Sequence, residues 1–442
     1  TISDIENYPF LNPFRFENDP SKKYWHISTL ESLLEENWNS IEEGVTENRE
    51  YLAAREKIFS SSVFQYFTDQ KNRIIQESLE TDNSFQILGA YTCLLDSIVQ
   101  TAFDYSFIDI PLIKERLVEE LNHELNYKQK NLPEKKEKLK LLKEQILEME
   151  KNLESGSSSS REYRYFQEVE SQHESETRIL EERIEELQQL IPQIQDFTND
   201  KNFVLNHLVI FARGGYGRAE LGLSSDRDLG YCLDTNRLNN GEAEMLRQLI
   251  VHIENLLRNS GVETAHQYFE IDEDLSRFDE VNTLHTIPSI LESRVLLGSE
   301  SLATNLKNRF FQVITFEPYV LNLVRSFSES KEPELNRMDL KMDYGGLRSL
   351  QIPLWITAAT FGIFPSQTAD LLAFLIQKHL LSHRQALKLC QALEFLHDLR
   401  NFSAVAKEHY FDDEAREIGC VQENLHQDQL KDTMERLDLL KK

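Results

Sequence analysis

The fold is decided by residues 208–234, LVIFARGGYGRAELGLSSDRDLGYCLD, which combine two apolar runs with glycines and alternating carboxylates. The first run, Leu208 to Phe211, is rich in branched and aromatic residues and predicts a buried strand. Gly214 and Gly215 follow it. Because glycine tolerates positive φ and close approach of a ligand, the backbone N–H groups of this turn could hold phosphate oxygens.

Two aspartates open the second apolar run. Asp226 and Asp228 precede Leu229 to Leu233, so they fall at the start of a second strand and point to the same face. Two carboxylates so close repel each other by roughly 3 kcal/mol at an effective dielectric constant of about 20, and a cation should offset this repulsion. Mg²⁺ is the best candidate, since it binds hard oxygen ligands and completes its octahedron with water and phosphate oxygens.

These strings resemble a known family. GGYGRAE, SD and DL resemble the signature of the DNA polymerase beta-type nucleotidyltransferases, and their full spelling is most similar to the amino-terminal catalytic module of bacterial protein-PII uridylyltransferases. The resemblance covers roughly residues 85–110 and 203–415. Further resembling segments follow in the family's order: 256–268 (LLRNSGVETAHQY), 289–298 (SILESRVLLG), 339–356 (DLKMDYGGLRSLQIPLWI) and 395–401 (FLHDLRN).

The resemblance implies a catalytic metal site. Two Mg²⁺ ions would be held by Asp226 and Asp228, and a third carboxylate would come from a neighbouring strand. Glu263 is the candidate, because it falls on a glutamate of the resembling segment and lies in VETAHQYFEI, which has strand propensity. Glu270 and Asp272 lie on the same predicted strand and stay open as alternatives.

A second set of residues is predicted to bind the nucleotide. Arg218 follows the glycine pair by three residues, and its guanidinium offers a bidentate fork to phosphate oxygens. A surface arginine paired with Glu220 is the alternative. The resemblance adds a serine directly before the first aspartate and two cations near the GGLRS motif. The predicted nucleotide-binding residues are Gly214, Gly215, Arg218, Ser225, Lys341 and Arg348.

Two positions depart from the family. Phe269 stands where the family has an arginine, and Ser349 stands where an aspartate is usual. These departures affect the expected substrate contacts more than the metal site. The chain also leaves no room downstream for the HD and ACT domains of the uridylyltransferases, so we expect the catalytic module alone.

Several histidines suggest other sites. His397 and Asp398 have the order of an HD phosphohydrolase pair, but they lie inside the resembling segment FLHDLRN. His379 and His383 have the spacing of a helical metal pair, yet no nearby acid completes a ligand set. His266 matches a histidine of the family, although a lone histidine is more often a structural hydrogen-bonding group. We predict none of these as metal ligands.

The composition narrows the class of protein. A formal net charge of −27 argues against a grip on nucleic-acid phosphate, which needs a basic face. The four cysteines are far apart, so neither a zinc ribbon nor a disulfide framework is indicated. The sequence shows no apolar run as long as a membrane span, and TISDIENYPF is not a signal peptide. We therefore expect a cytoplasmic protein that binds neither nucleic acid nor membrane.

Four domains are predicted from the sequence patterns and the resemblance together, and the resemblance implies an α+β fold. Residues 1–110 form a helical region, 111–200 an inserted antiparallel coiled-coil hairpin, 201–283 the nucleotidyltransferase core with its small mixed β-sheet, and 284–442 a helical domain. Helical domains thus flank the core on both sides. From residue 284 onward the pattern, including the segment 289–298, is interpreted as entirely helical.

The hairpin follows from a heptad pattern on either side of a turn. Its apolar residues step by three and four, and the segment 155–160, SGSSSS, breaks the helix between them. Pro133 should kink the first arm or mark its boundary. The basic run 135–143 is interpreted as a solvated face and less readily as a nucleic-acid patch. The hairpin would bind a partner, mediate self-association or act as a spacer. The repeating apolar residues are Leu139, Leu142, Ile146, Met149 and Leu153 on the first arm and Leu180, Ile184, Leu187, Ile191 and Ile194 on the second.

The predicted function is transfer of a nucleoside monophosphate from a nucleoside triphosphate to a protein hydroxyl, as in protein-PII uridylylation. Adenylyl transfer to a protein is the nearest alternative. A non-catalytic scaffold on the same fold is the alternative from another class. Nucleotide addition to RNA is disfavoured by the acidity of the chain.

Overall fold

A computed structural model describes residues 30, 32–34, 48–81, 84–154, 160–223, 225–271, 286–313, 316–328, 340–341, 346–363, 365 and 367–410. The predictions for Asp272, for Gly345 of the GGLRS motif and for the turn at 155–159 lie outside these residues. None of the helices within the described ranges combines the length and apolar character needed to cross a lipid bilayer. The helices are α1 (Asn48–Thr81), α2 (Ser84–Ile108), α3 (Ile110–Glu154), α4 (Ser160–Gln195), α5 (Lys201–His207), α6 (Gly214–Gly217), α7 (Asn240–Asn259), α8 (Thr286–Leu291), α9 (Glu300–Val313), α10 (Phe316–Ser328), α11 (Leu347–Phe361), α12 (Thr368–Gln377) and α13 (His383–Tyr410).

A small mixed sheet forms the centre of the fold. Its strands are β1 (Leu208–Ala212), β2 (Asp228–Leu233), β3 (Ala265–Glu270) and β4 (Arg294–Gly298), in the order β3-β2-β1-β4. β1 pairs antiparallel with β2 and β4, whereas β2 pairs parallel with β3. The α+β fold and the two strands predicted from the apolar runs are therefore confirmed.

Helices cover both faces of this sheet. Along β1, Leu208 and Ile210 pack into one core with α1, α2 and α7, while Val209 and Phe211 pack into a second core with α8 to α11. The alternation follows from the period of two in a strand. Because both faces are buried, β1 is a continuous apolar run and not an alternating one.

The crossover between β2 and β3 is made by α7. Asn239 caps this helix by accepting from the N–H of Glu242, whose carboxylate in turn accepts from the N–H of Asn239. This reciprocal capping box fixes the first turn. The apolar side of the helix, which includes Leu246, Leu249 and Ile253, then packs on the sheet, so β3 returns parallel to β2.

The prediction that the chain is entirely helical beyond residue 284 is wrong at β4. Residues 294–298 form an edge strand on β1. The run is short and apolar, a pattern that fits either a strand or a buried helix, and the unpaired edge of β1 decides between them. Gly298 ends the strand at a φ of +92°, and a Cβ there would clash with the Leu208 carbonyl.

The inserted segment forms two long antiparallel helices. Lys135 pairs with Glu176 at 2.6 Å, and Lys143 pairs with Glu174 at 2.9 Å. The residue number of the partner on α4 decreases as the residue number on α3 increases, as it does between antiparallel helices. α3 continues through Pro133, which therefore does not mark a boundary. The basic run contributes cross-pairs to α4, in line with its interpretation as a solvated face. The coiled-coil geometry itself stays a prediction.

The base of this hairpin is closed. Lys114, near the start of α3, donates from Nζ to the carbonyl oxygens of Gln195 at 3.2 Å and Phe197 at 3.3 Å. Leu187 and Ile194 of α4 are fully buried in the core that also holds α7. The two ends of the insertion are thus joined to each other and anchored beside the sheet.

Candidate active site

A cleft of about 330 Å³ lies where the carboxyl end of β1 meets the start of β2. It combines the turn after β1, both aspartates, one residue of β3 and side chains of α8, α11 and α13. Every predicted site residue except Glu263 lines it. The lining residues are Arg213, Gly214, Gly215, Arg218, Glu220, Ser225, Asp226, Asp228, Gln267, Thr286, Ser289, Lys341, Leu347, Arg348, Gln351, Trp355, His397 and Arg400.

The two aspartates face the cleft together. Asp228 is the first residue of β2 and Asp226 lies two positions earlier, while Arg227 between them donates to the hydroxyl of Tyr91 at 2.9 and 3.2 Å. The alternation predicted from the sequence is therefore present. Burial raises the pKa of Asp228; the Arg213 guanidinium opposes this shift, and the charge of Asp226 adds to it.

Gly214 shapes the floor beside Asp228. It begins the single turn α6 with a φ of +56°, in the left-handed region where a side chain is disfavoured. A Cβ on Gly214 would lie 3.2 Å from Oδ2 of Asp228. The glycine therefore allows the turn and the Asp228 carboxylate to approach each other; its predicted contact with phosphate stays a prediction.

Arg218 is held between two buried carboxylates. Its Nε donates to Glu220 at 2.8 Å and its Nη1 donates to Glu292 at 2.7 Å. Burial opposes its charge, but the two glutamates outweigh that effect and raise the pKa of Arg218. The pairing with Glu220 left open by the sequence is present, although the arginine is buried and not on the surface. Its contact with phosphate stays a prediction.

Two further cations come from the segment around the GGLRS motif. Lys341 Nζ lies 3.5 Å from Oδ2 of Asp226. Arg348, at the start of α11, lies over the ring of Trp355 at 4.9 Å and donates to Gln351 at 2.9 Å. Burial and the neighbouring charge of Arg218 lower the pKa of Arg348 to about 10. Arg348 therefore remains a cation near neutral pH, and both side chains line the cleft.

Glu263 does not join the aspartates. It is exposed, precedes β3, and only its carbonyl oxygen has a described contact, from Arg227 at 3.2 Å. Glu270, the alternative, pairs with Arg247 at 2.7 Å and accepts from Tyr268. Among the described residues, no group of three or more His, Cys, Asp or Glu side chains is placed to hold a metal ion. Glu263 as the third carboxylate stays a prediction without support from the geometry.

Helix α13 contributes a face of the cleft from the resembling segment FLHDLRN, none of whose residues is among the predicted site residues. His397 and Arg400 line the cleft, and Asn401 accepts from the N–H of Leu223 at 3.1 Å, which fixes the loop before Ser225. Their i, i+3, i+4 spacing was the available signal. Burial lowers the pKa of His397 to about 4, so its imidazole is neutral near pH 7. Of the pair His397 and Asp398, it is His397 that lines the cleft.

The segment 289–298 joins the cleft to α2. Glu292 also accepts from Trp355 at 2.8 Å, while Arg294 forms a bidentate pair with Asp96 at 2.9 and 3.1 Å. Phe269 is fully buried, and its ring lies 6.2 Å from that of Phe211. Its departure from the family is thus a difference in core packing and not in the lining of the cleft.

Comparison with known proteins gives partial matches to one family. The GlnD PII-uridylyltransferase family matches residues 325–409, a range that includes Arg348, His397 and Arg400. Curated proteins named bifunctional uridylyltransferase/uridylyl-removing enzyme also match. That of Zymomonas mobilis is 30% identical over 36% of this chain and 17% of its own length. That of Ectopseudomonas mendocina is 30% identical over 44% of this chain and 21% of its own length.

A third relative, from Rhodospirillum rubrum, is 25% identical over 48% of this chain and 23% of its own length. The matched region therefore spans less than a quarter of the length of each of these relatives. The chain is therefore similar, over part of its length, to the protein-PII uridylyltransferases.

Proposed function

We propose that the chain is a magnesium-dependent nucleotidyltransferase that moves a nucleoside monophosphate from a nucleoside triphosphate to a hydroxyl group of a protein. The observation that carries this proposal is the pair Asp226 and Asp228 on one face of a cleft rimmed by cations. The relatives are named uridylyltransferases, which supports a nucleotidyltransferase enzyme and favours UTP as the donor.

The residues present fit a magnesium ion. Asp226 and Asp228 supply hard oxygen donors of the kind that Mg²⁺ prefers, and the absence of a side chain on Gly214 keeps the Oδ2 side of Asp228 free of a Cβ that would lie 3.2 Å away. Asp226 remains accessible, with its side chain 71% exposed. When bound, Mg²⁺ would neutralise phosphate charge and stabilise the charge that develops during transfer.

The proposed reaction is an in-line displacement. The oxygen of the acceptor hydroxyl attacks the α-phosphorus, releases its proton to solvent water, and forms the new phosphodiester bond. The bond from the α-phosphorus to the oxygen that bridges to the β-phosphorus breaks, and pyrophosphate leaves. Lys341, Arg348 and Arg400 line the cleft as cations that would hold the triphosphate, so the protein contributes position and charge and forms no covalent intermediate.

A protein acceptor is favoured over RNA. The formal net charge of −27 opposes binding of a phosphate backbone. The matching family is described as acting on PII, which makes a small signalling protein of that type the first acceptor to test. The proposed setting is the cytoplasm, where nucleoside triphosphates are available. A role of the helical hairpin in partner binding or self-association belongs to the same proposal.

The test is transfer of label from each α-labelled nucleoside triphosphate to a PII-type protein in the presence of Mg²⁺. We expect transfer by the unchanged chain and its loss in the double variant Asp226→Asn with Asp228→Asn. Asp196→Asn, at an exposed aspartate outside the cleft, is the matched control and should leave transfer intact.

Transfer that survives in the double variant would contradict the mechanism. Label arriving from ATP in preference to UTP would assign adenylyl transfer instead. If the unchanged chain neither transfers label nor binds any nucleotide, the scaffold alternative is favoured.

A further inference from the structure

Arg213, between β1 and α6, is a cation of the cleft that the sequence patterns did not indicate. It is 7% exposed, and its Nε donates to the carbonyl oxygen of Leu229 at 3.1 Å. Its Nη1 donates to Oε1 of Gln267 at 2.6 Å, and its Nη2 lies 3.9 Å from Oδ1 of Asp228. The guanidinium is thus fixed by β2 and β3 beside a proposed metal ligand.

Gln267, which carries an amide in place of a carboxylate, is the one residue of β3 that lines the cleft. β3 runs parallel to β2, with Ala265 opposite Asp228 and Gln267 opposite Gly230. Because strand residues two apart share a face, Gln267 is the β3 side chain that enters the cleft next to Asp228. Its amide oxygen accepts from Arg213, and its amide nitrogen is a donor that does not bind Mg²⁺.

We propose that Arg213 takes the place of one of the two metal ions expected from the sequence, so that the cleft binds a single divalent cation with the nucleotide. This inference rests on the proposed function. A guanidinium stays protonated in proteins, so Arg213 supplies a fixed positive charge beside Asp228. A second Mg²⁺ at that position would meet a like charge, and the only other carboxylate lining the cleft among the described residues, Glu220, is paired with Arg218 at 2.8 Å.

The accessible side of the site is at Asp226. Its side chain is 71% exposed, compared with 32% for Asp228. An ion that arrives with the triphosphate can therefore bind between Asp226 and Asp228 while Arg213 neutralises charge from the buried side. Arg213 acts on the metal site through Asp228 and is a positioning residue in this scheme.

The test counts metal ions per nucleotide. Bound Mn²⁺ is measured by electron paramagnetic resonance with a nucleoside triphosphate analogue that has a non-hydrolysable bridge between its α- and β-phosphorus atoms. We expect one Mn²⁺ per bound nucleotide in the unchanged chain and in Arg213→Lys, which keeps the charge. We expect two in the double variant Arg213→Gln with Gln267→Glu, which removes the cation and builds a third carboxylate. Thermal unfolding of each variant checks that it is folded.

Three results would overturn the inference. The first is two Mn²⁺ ions per nucleotide in the unchanged chain. The second is one Mn²⁺ in the folded double variant. The third is tenfold or greater loss of nucleotide affinity in Arg213→Gln at an unchanged ratio, which would make Arg213 a phosphate ligand. An unchanged chain that binds neither Mn²⁺ nor nucleotide would instead refute the proposed function, so the two failures are distinguishable.

Discussion

The helical hairpin and the cleft both contain ion pairs, but the pairs of the hairpin are exposed to solvent and those of the cleft are buried. In the hairpin, Lys136 and Glu181 pair while their side chains are 54% and 42% exposed. In the cleft, Arg218 and Glu220 pair while theirs are 7% and 8% exposed. Exposed pairs contribute about 0–1 kcal/mol, whereas breaking a buried pair costs about 3–5 kcal/mol. Ion pairs therefore add little to stability in the hairpin, whereas in the cleft they hold buried side chains in place.

The largest expected effect is at Arg218. Arg218→Met leaves Glu220 and Glu292 buried without their cation, so the free energy of unfolding should fall by about 3–5 kcal/mol. Urea denaturation at pH 7 measures it. The matched control is Arg178→Met in the hairpin, whose side chain is 71% exposed. Equal losses in the two variants would remove the distinction between the regions.

The next effect is a dependence of stability on pH at His397. Its pKa is about 4 in the folded protein, against an ordinary value of 6.5, because the ring is buried. Between these pH values the unfolded chain binds a proton that the folded protein does not, so His397 makes the protein less stable as pH falls from 6.5 to 4. The loss is about 3 kcal/mol.

His397→Gln removes this titration. Its free energy of unfolding, followed by urea denaturation from pH 7 to pH 4, should fall less steeply than that of the unchanged chain. His173→Gln in the hairpin, at a half-buried histidine, is the control and should keep the original slope. Parallel curves for His397→Gln and the unchanged chain would contradict the buried neutral imidazole.

A smaller effect is expected at Gly214. Gly214→Ala forces a left-handed φ on a side chain and places a Cβ 3.2 Å from Asp228, so we expect a loss of about 1–2 kcal/mol in stability and weaker Mn²⁺ binding. Gly215→Ala is the control, since its Cβ would meet only ordinary contacts, the nearest at 3.5 Å. Calorimetric titration measures the Mn²⁺ affinity of both variants. Equal affinities would show that the turn does not shape the metal site.

The smallest effect is expected in the hairpin. Lys136→Gln breaks the exposed pair with Glu181 and should lower the free energy of unfolding by at most about 1 kcal/mol. The difference should vanish at about 1 M salt, where the screening length is about 3 Å. A larger, salt-insensitive loss would mean that this pair is shielded from water, for instance by a second copy of the chain.

The sequence predicted the parts of the fold whose pattern is local. β1 and β2 were found because each is a continuous apolar run, and Asp226 and Asp228 followed from the strand period. β4 is predicted as helical because its run of three apolar residues, Val295 to Leu297, carries no decisive period. Its identity comes from hydrogen bonding to the edge of β1, which is a property of the assembled sheet.

The candidate site also combines contacts that a local sequence pattern predicts with contacts that depend on tertiary packing. The glycine turn and the aspartates are neighbours in sequence, so their meeting could be predicted. Arg213, Gln267 and His397 reach the cleft only because three separate elements pack together. No pattern marks Arg213 or Gln267 as a site residue, and the resembling segment FLHDLRN contains His397 without predicting its role. The buried pairing of Arg218 with Glu292 is of this kind too, since the partners are 74 residues apart. Contacts at such separation depend on tertiary packing, which a motif does not encode.

The closed base of the helical hairpin has a consequence for how this chain can change. Lys114 donates hydrogen bonds to the carbonyl oxygens of Gln195 and Phe197, so the two ends of the hairpin lie together beside the sheet. Insertions or deletions of matched length in α3 and α4, beyond the base, would change the length of the hairpin without moving the strand and the loop that carry the aspartates. The hairpin is therefore a module whose length evolution or an engineer can adjust independently of the chemistry, and its base is a natural graft point for a reporter domain.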